Sequence, residues 1–420
     1  MNLRQFSSIL LLFAGVLLFT SCDSDNNTVT PASYPTKAFV NKNTLIKSIN
    51  GVQVYNGGYG SASAMQGGYF YIMTDRGPNI DGNSDEKIFS NPEFTPQIGK
   101  FKLDGDSLKL VNIIEMKNSA GQKITGLPNP AGMGGNTGET PLDINGSVLN
   151  FDQNGLDPEG LVAMQDGTFW ISDEYGPHIV HLNSDGKEIE RINAFNTSRK
   201  IPAVFGKRRA NRGMEGLTIT PNGKYLVGMM QSPLYNPDKS IKKSSKICRL
   251  LFFDIATGES KEYLYIIDNT DMANSDIVAI TDNTFLVLER DGNMPGKDAS
   301  CSKLLYKIDI TGATDVTSNL ETGRMINGKT LEQCTPEEIQ AAGIKAVSKE
   351  LAFDIMSISG YPHDKPEGLI IINSNLIAIV NDDDFGIGGE NTYKQKIAPF
   401  LNNTVDKNIM YFVKPLKPLK

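Results

Sequence analysis

The 420-residue chain holds only three histidines, His178, His181 and His363, four cysteines and one tryptophan. So few imidazoles exclude a His-rich zinc centre, and Cys248, Cys301 and Cys334 do not have the spacing of a zinc site. How these cysteines pair, if they do, is left open by the sequence. Positive charge is in short supply too: 41 Lys and Arg stand against 48 Asp and Glu, a formal charge of −7. That excludes the basic footprint of a nucleic-acid-binding surface. The chain has no Gly-x-Ser-x-Gly elbow, no His-Glu-x-x-His and no Walker-type phosphate loop. Ser357, Ser359 and His363 are close in sequence, but nothing in their spacing singles out a triad. The N-terminal apolar run, Ile9 to Phe19, is too short for a comfortable membrane span.

With Arg4 ahead of it and Thr20-Ser21-Cys22 behind it, that run reads as a secretory signal. Its end resembles a bacterial lipobox, in which Cys22 becomes the lipid-modified N-terminus; an ordinary cleaved signal peptide is the alternative. Residues 1–21 are then the signal, 22–36 a polar, Pro-containing tether, and 37–420 one folded domain. The expected product is a monomeric, exported bacterial lipoprotein of the outer membrane, periplasmic or surface-facing, touching the membrane through acyl chains.

What the chain has in quantity is glycine, 40 residues, and a repeated plan. Glu-Gly-Leu occurs at 159–161, 215–217 and 367–369, each time opening an apolar run. EGLVAMQDGTFWISDEYG (159–176) aligns without a gap with SDIVAITDNTFLVLERDG (275–292), and segments from 61, 215 and 367 follow the same strand–turn–strand scheme. A second strand–turn–strand with an Asp/Gly-rich turn follows most copies, the clearest at 98–114, 178–192, 249–267 and 303–318. A unit of two hairpins repeated at this interval predicts an all-β fold, a β-propeller of four-stranded antiparallel blades. Five blades are visible directly, and the long gaps 61–159 and 275–367 lead us to expect six. A β-sandwich is the competing all-β architecture. Thr335, Pro336 and Glu338 have the spacing of an N-cap, a first helical residue and a capping-box acid, so a short helix is expected within 335–350, in an insertion between blades. Phe169, Trp170, Tyr225 and Phe285 fall in second strands and are expected in the inter-blade core.

A residue that begins a propeller's innermost strand faces one mouth of the central channel, and antiparallel pairing returns the end of the second strand to the same mouth. That places Asp75, Glu159, Asp173, Glu174, Glu215, Glu289, Glu367, Asn381 and Asp382 around one opening. Crowded carboxylates repel unless a cation neutralises them, and an all-oxygen set favours Ca²⁺, with Mg²⁺ or Mn²⁺ behind it. Arg76, Arg212, Arg290, His178 and Lys365 adjoin the same motifs, and Arg suits phosphate or carboxylate oxygens. Metal-ligating acids beside cations fit a phosphoryl site, or one that polarises an ester carbonyl. The structural alternative is that Gly permits tight strand entry while Glu bonds backbone of the next blade.

At DRGP (75–78), DPEGL (157–161), DEYGPHI (173–179), NRGMEGLT (211–218), KPEGL (365–369) and NDDDFG (381–386), the chain resembles the family called esterase-like activity of phytase, from about residue 45 to 413. The resemblance implies hydrolysis of phosphate monoesters or carboxylic esters by an extracytoplasmic bacterial protein. It carries over no catalytic residues, so the roles rest on placement at the mouth. Glu159, Asp173, Glu215, Glu367 and Asp382 are the expected metal ligands, Arg76 and Arg212 the anion binders, and His178 or Glu174 the proton-handling group. The axial Glu-Gly pair is also similar to that of calcium-dependent lactonases of the gluconolactonase and paraoxonase type. A small anionic phosphate or ester is the expected partner, with a lactonase or carboxylesterase, or a non-catalytic propeller binding glycans or protein, as alternatives.

Overall fold

The computed structural model describes residues 33–41, 44–195 and 198–420; Cys22 and the signal segment lie outside them. Four-stranded meanders form blade 1 (Tyr59–Gln66, Tyr69–Thr74, Gln97–Asp104, Ser107–Glu115) and blade 2 (Pro158–Ala163, Phe169–Asp173, Ile179–Leu182, Glu188–Ile192). Blade 3 comprises Met214–Ile219, Tyr225–Met230, Ile247–Asp254 and Ser260–Ile266; blade 4 comprises Ala273–Ala279, Thr284–Arg290, Lys303–Asp309 and Ser348–Asp354. In blade 5 the chain supplies Pro366–Asn373, Leu376–Asn381 and Ile409–Val413, and the N-terminal strand Lys37–Asn41 adds the fourth position, antiparallel to Ile409–Val413. The same strand pairs in parallel with the outer strand of blade 1, so blades 5 and 1 share one eight-stranded sheet. Ala38 and Val40 bury themselves there against Phe70, Leu108 and Phe412. Chain start and chain end thus fasten the ring to itself.

Among the described residues the ring has five blades, not the expected six. Each innermost strand packs on the next, and that of blade 5 packs on that of blade 1. Five apolar clusters fill the five interfaces, including Trp170 against Leu226 and Phe253, Phe285 against Phe252, and Phe169 against Ile98. The long gaps hold insertions rather than a blade. One contains the three-stranded sheet of Asn79–Asp81, Glu86–Phe89 and Thr140–Leu142, together with the loop that follows blade 1. The other lies inside blade 4: its fourth strand is Ser348–Asp354, not the expected segment ending at 318, because Val316 leaves the sheet to pack on Ile247 and Leu264 of blade 3. The helix Pro336–Ala341 belongs to this insertion, within a blade rather than between two, and carries the expected capping box between Thr335 and Glu338. Cys248, Cys301 and Cys334 are free thiols.

The start of every inner strand is irregular in the same way. Pairing slips between Pro158 and Gly160, Met214 and Gly216, Asn274 and Asp276, and Pro366 and Gly368, and between Tyr59 and Ala62 in blade 1. Glu159, Glu215, Ser275 and Glu367 are therefore the unpaired residues of β-bulges, with Ser61 in that position in blade 1, and a bulge re-aims its side chain. Gly follows Glu for a steric reason. A Cβ at Gly160 would lie 2.5 Å from Leu217 N, one at Gly216 would lie 2.7 Å from Ile277 N, and one at Gly368 would lie 2.7 Å from Ser63 Oγ. Substituting Gly216→Ala should cost about 1–3 kcal/mol, read as a lower denaturation midpoint at unchanged m-value; an unshifted midpoint would mean that the blades can part to admit the methyl group.

Candidate active site

The bulges and the strand ends that follow them build two rings at one mouth of the channel. The first consists of the bulge residues Ser61, Glu159, Glu215, Ser275 and Glu367; the second of the residues leaving the second strands, Asp75, Glu174, Gln231, Arg290 and Asp382. Backbone bonds set their level, from Glu174 N to Asp157 O at 2.9 Å, Gln231 N to Gly213 O at 3.0 Å and Asp382 N to Lys365 O at 2.9 Å. All three bulge glutamates and all five members of the second ring line a cavity of about 390 Å³. Eight carboxylates and five cations face it: Asp157 and Asp364 complete the acids, and Arg76, Arg209, Arg212, Arg290 and Lys365 are the bases. A neighbouring cavity of about 270 Å³ shares Asp75, Arg76, Asn211 and Lys365 and is lined further by residues of the insertions, among them Ile80 and Ile387.

The charges sort themselves into paired and unpaired sets. Arg290 pairs with Glu367 and donates from Nε to Ser275 Oγ at 2.8 Å. Lys365 lies 2.7 Å from Asp384 and 3.4 Å from Asp382; Lys396 joins Asp384 at 2.6 Å to Asp364 at 2.8 Å. Arg76 is held by Glu139 at 3.0 Å and Asp157 at 3.4 Å. Glu159, Glu174 and Glu215 make no ion pair among the described residues. Asp157, Glu159 and Glu174 each bring an oxygen within 4.8 Å of the others, and Glu215 Oε2 is buried with no hydrogen-bond partner. Burial, then repulsion from Glu215, Asp157, Glu367 and Glu174, pushes the Glu159 carboxyl well above its usual range. Burial does the same to Glu215, Asp382 and Asp75, and raises Glu174 to about 7 against the pull of Arg76 and Arg212. Such a pocket takes up either protons or a hard cation, and its orphaned, oxygen-only donors fit the latter.

Three expected mouth residues prove to be structural. Asp173, Glu289 and Asn381 each precede a member of the second ring by one residue, so strand alternation turns their side chains away from the cavity. Asp173 accepts from Asp157 N and Gly176 N, both at 2.7 Å, and its Oδ2 lies 2.9 Å from His178 Nδ1. Asp173 is turned from the cavity and does not line it, so it is not among the acids that could hold a metal there; His178, buried beside it, does not line the cavity either, and burial lowers its basicity. Glu289 accepts from Asp268 N at 2.8 Å and pairs with Lys349 at 2.6 Å, and Asn381 Oδ1 accepts from Ile409 N at 2.8 Å. His363 is occupied on both ring nitrogens, by Asp406 at 2.7 Å and the Tyr411 hydroxyl at 3.0 Å, which leaves no triad with Ser357 or Ser359. Glu159, Glu215, Glu367, Asp382, Glu174, Arg76 and Arg212 do line the cavity as expected. Asp157, Asp364, Arg209 and Gln231 were not foreseen as site residues. Asp157 stood in the quoted DPEGL motif; counting from Glu215 as Glu174 counts from Glu159 lands on Met230, one residue short of Gln231, because the first hairpin of blade 3 is one residue longer.

Fold and site together define a five-bladed propeller with an acidic, cation-flanked axial cavity. The chain belongs to the phytase-like family, described as esterase-like activity of phytase, whose model matches residues 55–385. An uncharacterized secreted protein of Arthroderma benhamiae is 28% identical over 210 residues, covering 40% of this chain and 40% of that relative's length. Among solved structures, virginiamycin B lyase from Staphylococcus aureus is 12% identical with a TM-score of 0.34, over 85% of this chain and 96% of that one. A putative 6-phosphogluconolactonase from Bacteroides uniformis is 9% identical with a TM-score of 0.30, over 89% of each chain.

The raised carboxyls set the pH response of the metal-free protein. Unfolded carboxyls ionise near pH 4, whereas Glu174 holds its proton to about 7 and its neighbours are shifted in the same direction. Between these values the native state binds more protons than the unfolded chain, so stability falls as pH rises. Acids pulled down by lysine, such as Asp384, act only below this window. The Tm in EDTA should drop by several degrees from pH 5 to pH 8; a level or rising Tm would show that the acids are already ionised.

Proposed function

We propose that this protein is an exported, lipid-anchored, metal-dependent hydrolase of phosphate monoesters that also acts on simple carboxylic esters. The observation that carries the reading is the cluster Asp157, Glu159 and Glu174, of which Glu159 and Glu174 have no counter-ion among the described residues, with the partnerless Glu215 Oε2 beside it and Arg212 on the same cavity wall. Glu159, Glu174 and Glu215, with Asp157, would hold Ca²⁺, and Glu367 and Asp382 keep their charges balanced by Arg290 and Lys365. A bound divalent ion supplies Lewis-acid polarisation of a phosphoryl or carbonyl oxygen and a more acidic water.

The chain's own residues account for the remaining steps. Arg212 has no carboxylate partner among the described residues, so its guanidinium is available to an anionic substrate, whereas Arg76 is committed to Glu139 and Asp157 and orients Asp157. Glu174, with its carboxyl near neutrality, is placed to move a proton at the leaving oxygen in whichever form it is not bound as a ligand. Family membership supports ester hydrolysis, and the word secreted in the name of the A. benhamiae relative supports export.

The test is phosphate release from phytate, and ester cleavage from p-nitrophenyl acetate, by the mature protein before and after EDTA treatment and again with Ca²⁺ restored. Activity that vanishes and returns is expected, and Glu215→Gln should lower it by about 100-fold or more without lowering Tm. Full activity of Glu215→Gln, or activity indifferent to EDTA, would sink the metal assignment. Ester cleavage without phosphate release would favour the carboxylesterase reading.

A further inference from the structure

A second, smaller cavity of about 190 Å³ adjoins the axial one, and Arg209 and Arg212 line both. The two arginines flank a tight turn in which Arg212 N donates to Arg209 O at 3.1 Å and Asn211 adopts φ 53°. Lys242 and Lys243 close the other side. Among the described residues none of the four cations is ion-paired, and Asp271 is the only carboxylate of the lining. The cations feel each other: Arg209, burial, Arg212 and Lys243 all depress the Lys242 ammonium. In the wall, Ser232 is 6% exposed and its Oγ has no hydrogen-bond partner. Tyr235, whose ring lies 6.0 Å from the Arg209 guanidinium, and Met272 supply apolar flanks.

Clustered like charges cost free energy unless a counter-charge visits them, and a buried hydroxyl without a partner is a donor awaiting an acceptor. We propose that this cavity is an anion subsite, in which Arg209, Arg212, Lys242, Lys243 and Ser232 hold a second phosphate or sulfate group of the substrate. The group undergoing hydrolysis lies on the axial side of the Arg209–Arg212 turn. The assignment rests on the reading of the axial cavity as a hydrolytic site, and it deepens that reading to substrates with at least two anionic groups. The alternative, four solvated surface cations, leaves the Ser232 hydroxyl unexplained.

Inositol hexasulfate, which has no phosphate to release, tests the subsite by calorimetric titration of the mature protein in EDTA. The expected result is binding that weakens about tenfold in Lys242→Ala/Lys243→Ala and by less than about twofold in Lys239→Ala/Lys261→Ala, which removes equal charge outside the cavity. No binding by the wild type, equal affinity in the first variant, or equal losses in both variants would overturn the subsite. Because this readout needs no catalysis, it stands even if phosphate release is never seen. Conversely, phosphate release with unchanged sulfate binding across the variants would refute the subsite and leave the hydrolase intact.

Discussion

The bulge that opens each inner strand has to satisfy two demands at once: its unpaired residue must point to the axis, and the residue after it must leave room for the backbone of the neighbouring blade. Gly160 and Gly216 meet the second demand, since a Cβ on either would fall within 2.7 Å of the next blade's amide nitrogen. In blade 4 the corresponding residue is Asp276, and the contact changes accordingly. Its carboxylate is buried, accepts from Ile277 N at 2.7 Å and reaches across to Leu369 N at 2.8 Å. A side chain is admitted there because it supplies an inter-blade hydrogen bond itself, to Leu369 N. The Glu-Gly repeat thus follows from how closely five inner strands pack around one axis.

That packing forces ionisable groups into a small volume, and the protein answers with local pairing almost everywhere. Lys365 and Lys396 share Asp364, Asp382, Asp384 and Asp406; Arg290 takes Glu367; Arg76 takes Glu139 and Asp157. Buried ions are tolerable when paired and hydrogen-bonded. Against that background Glu159, Glu174 and Glu215, of blades 2 and 3, stand out among the described residues as site acids without a counter-ion. The site is therefore defined by where compensation stops rather than by where acids are most numerous.

Asymmetry on a repeated frame gives the cavity its direction. Ring positions held by glutamate in blades 2, 3 and 5 carry Ser61 and Ser275 in blades 1 and 4, and the second ring replaces an acid by Gln231 and Arg290 in blades 3 and 4. The acidic sector and the cationic turn at Arg209–Arg212 consequently lie side by side. A substrate with separated anionic groups could be oriented by such a boundary, since each group has one favourable side.

Much of this was legible in the sequence. Period-two apolar runs with turns every few residues determine strands and hairpins, the internal repeat determines a propeller, and Thr335, Pro336 and Glu338 determine a helix start, because each signal is carried by residues near one another in the chain. The Glu-Gly motif also located the mouth. Blade number did not follow from the sequence, since an insertion of 30-odd residues inside blade 4 and a missing blade leave the same gap, and only ring closure between blades 5 and 1 separates them. Nor did it show which of two adjacent polar residues faces the axis. Asp173 and Glu174, or Glu289 and Arg290, differ by one step of strand alternation, and the bulge that resets that alternation is a matter of hydrogen-bond register between strands. Pairing was the last thing to be decided in three dimensions: Lys396 and Glu139 come from insertions distant in sequence, and their arrival determines which carboxylates are satisfied and which are left for a ligand.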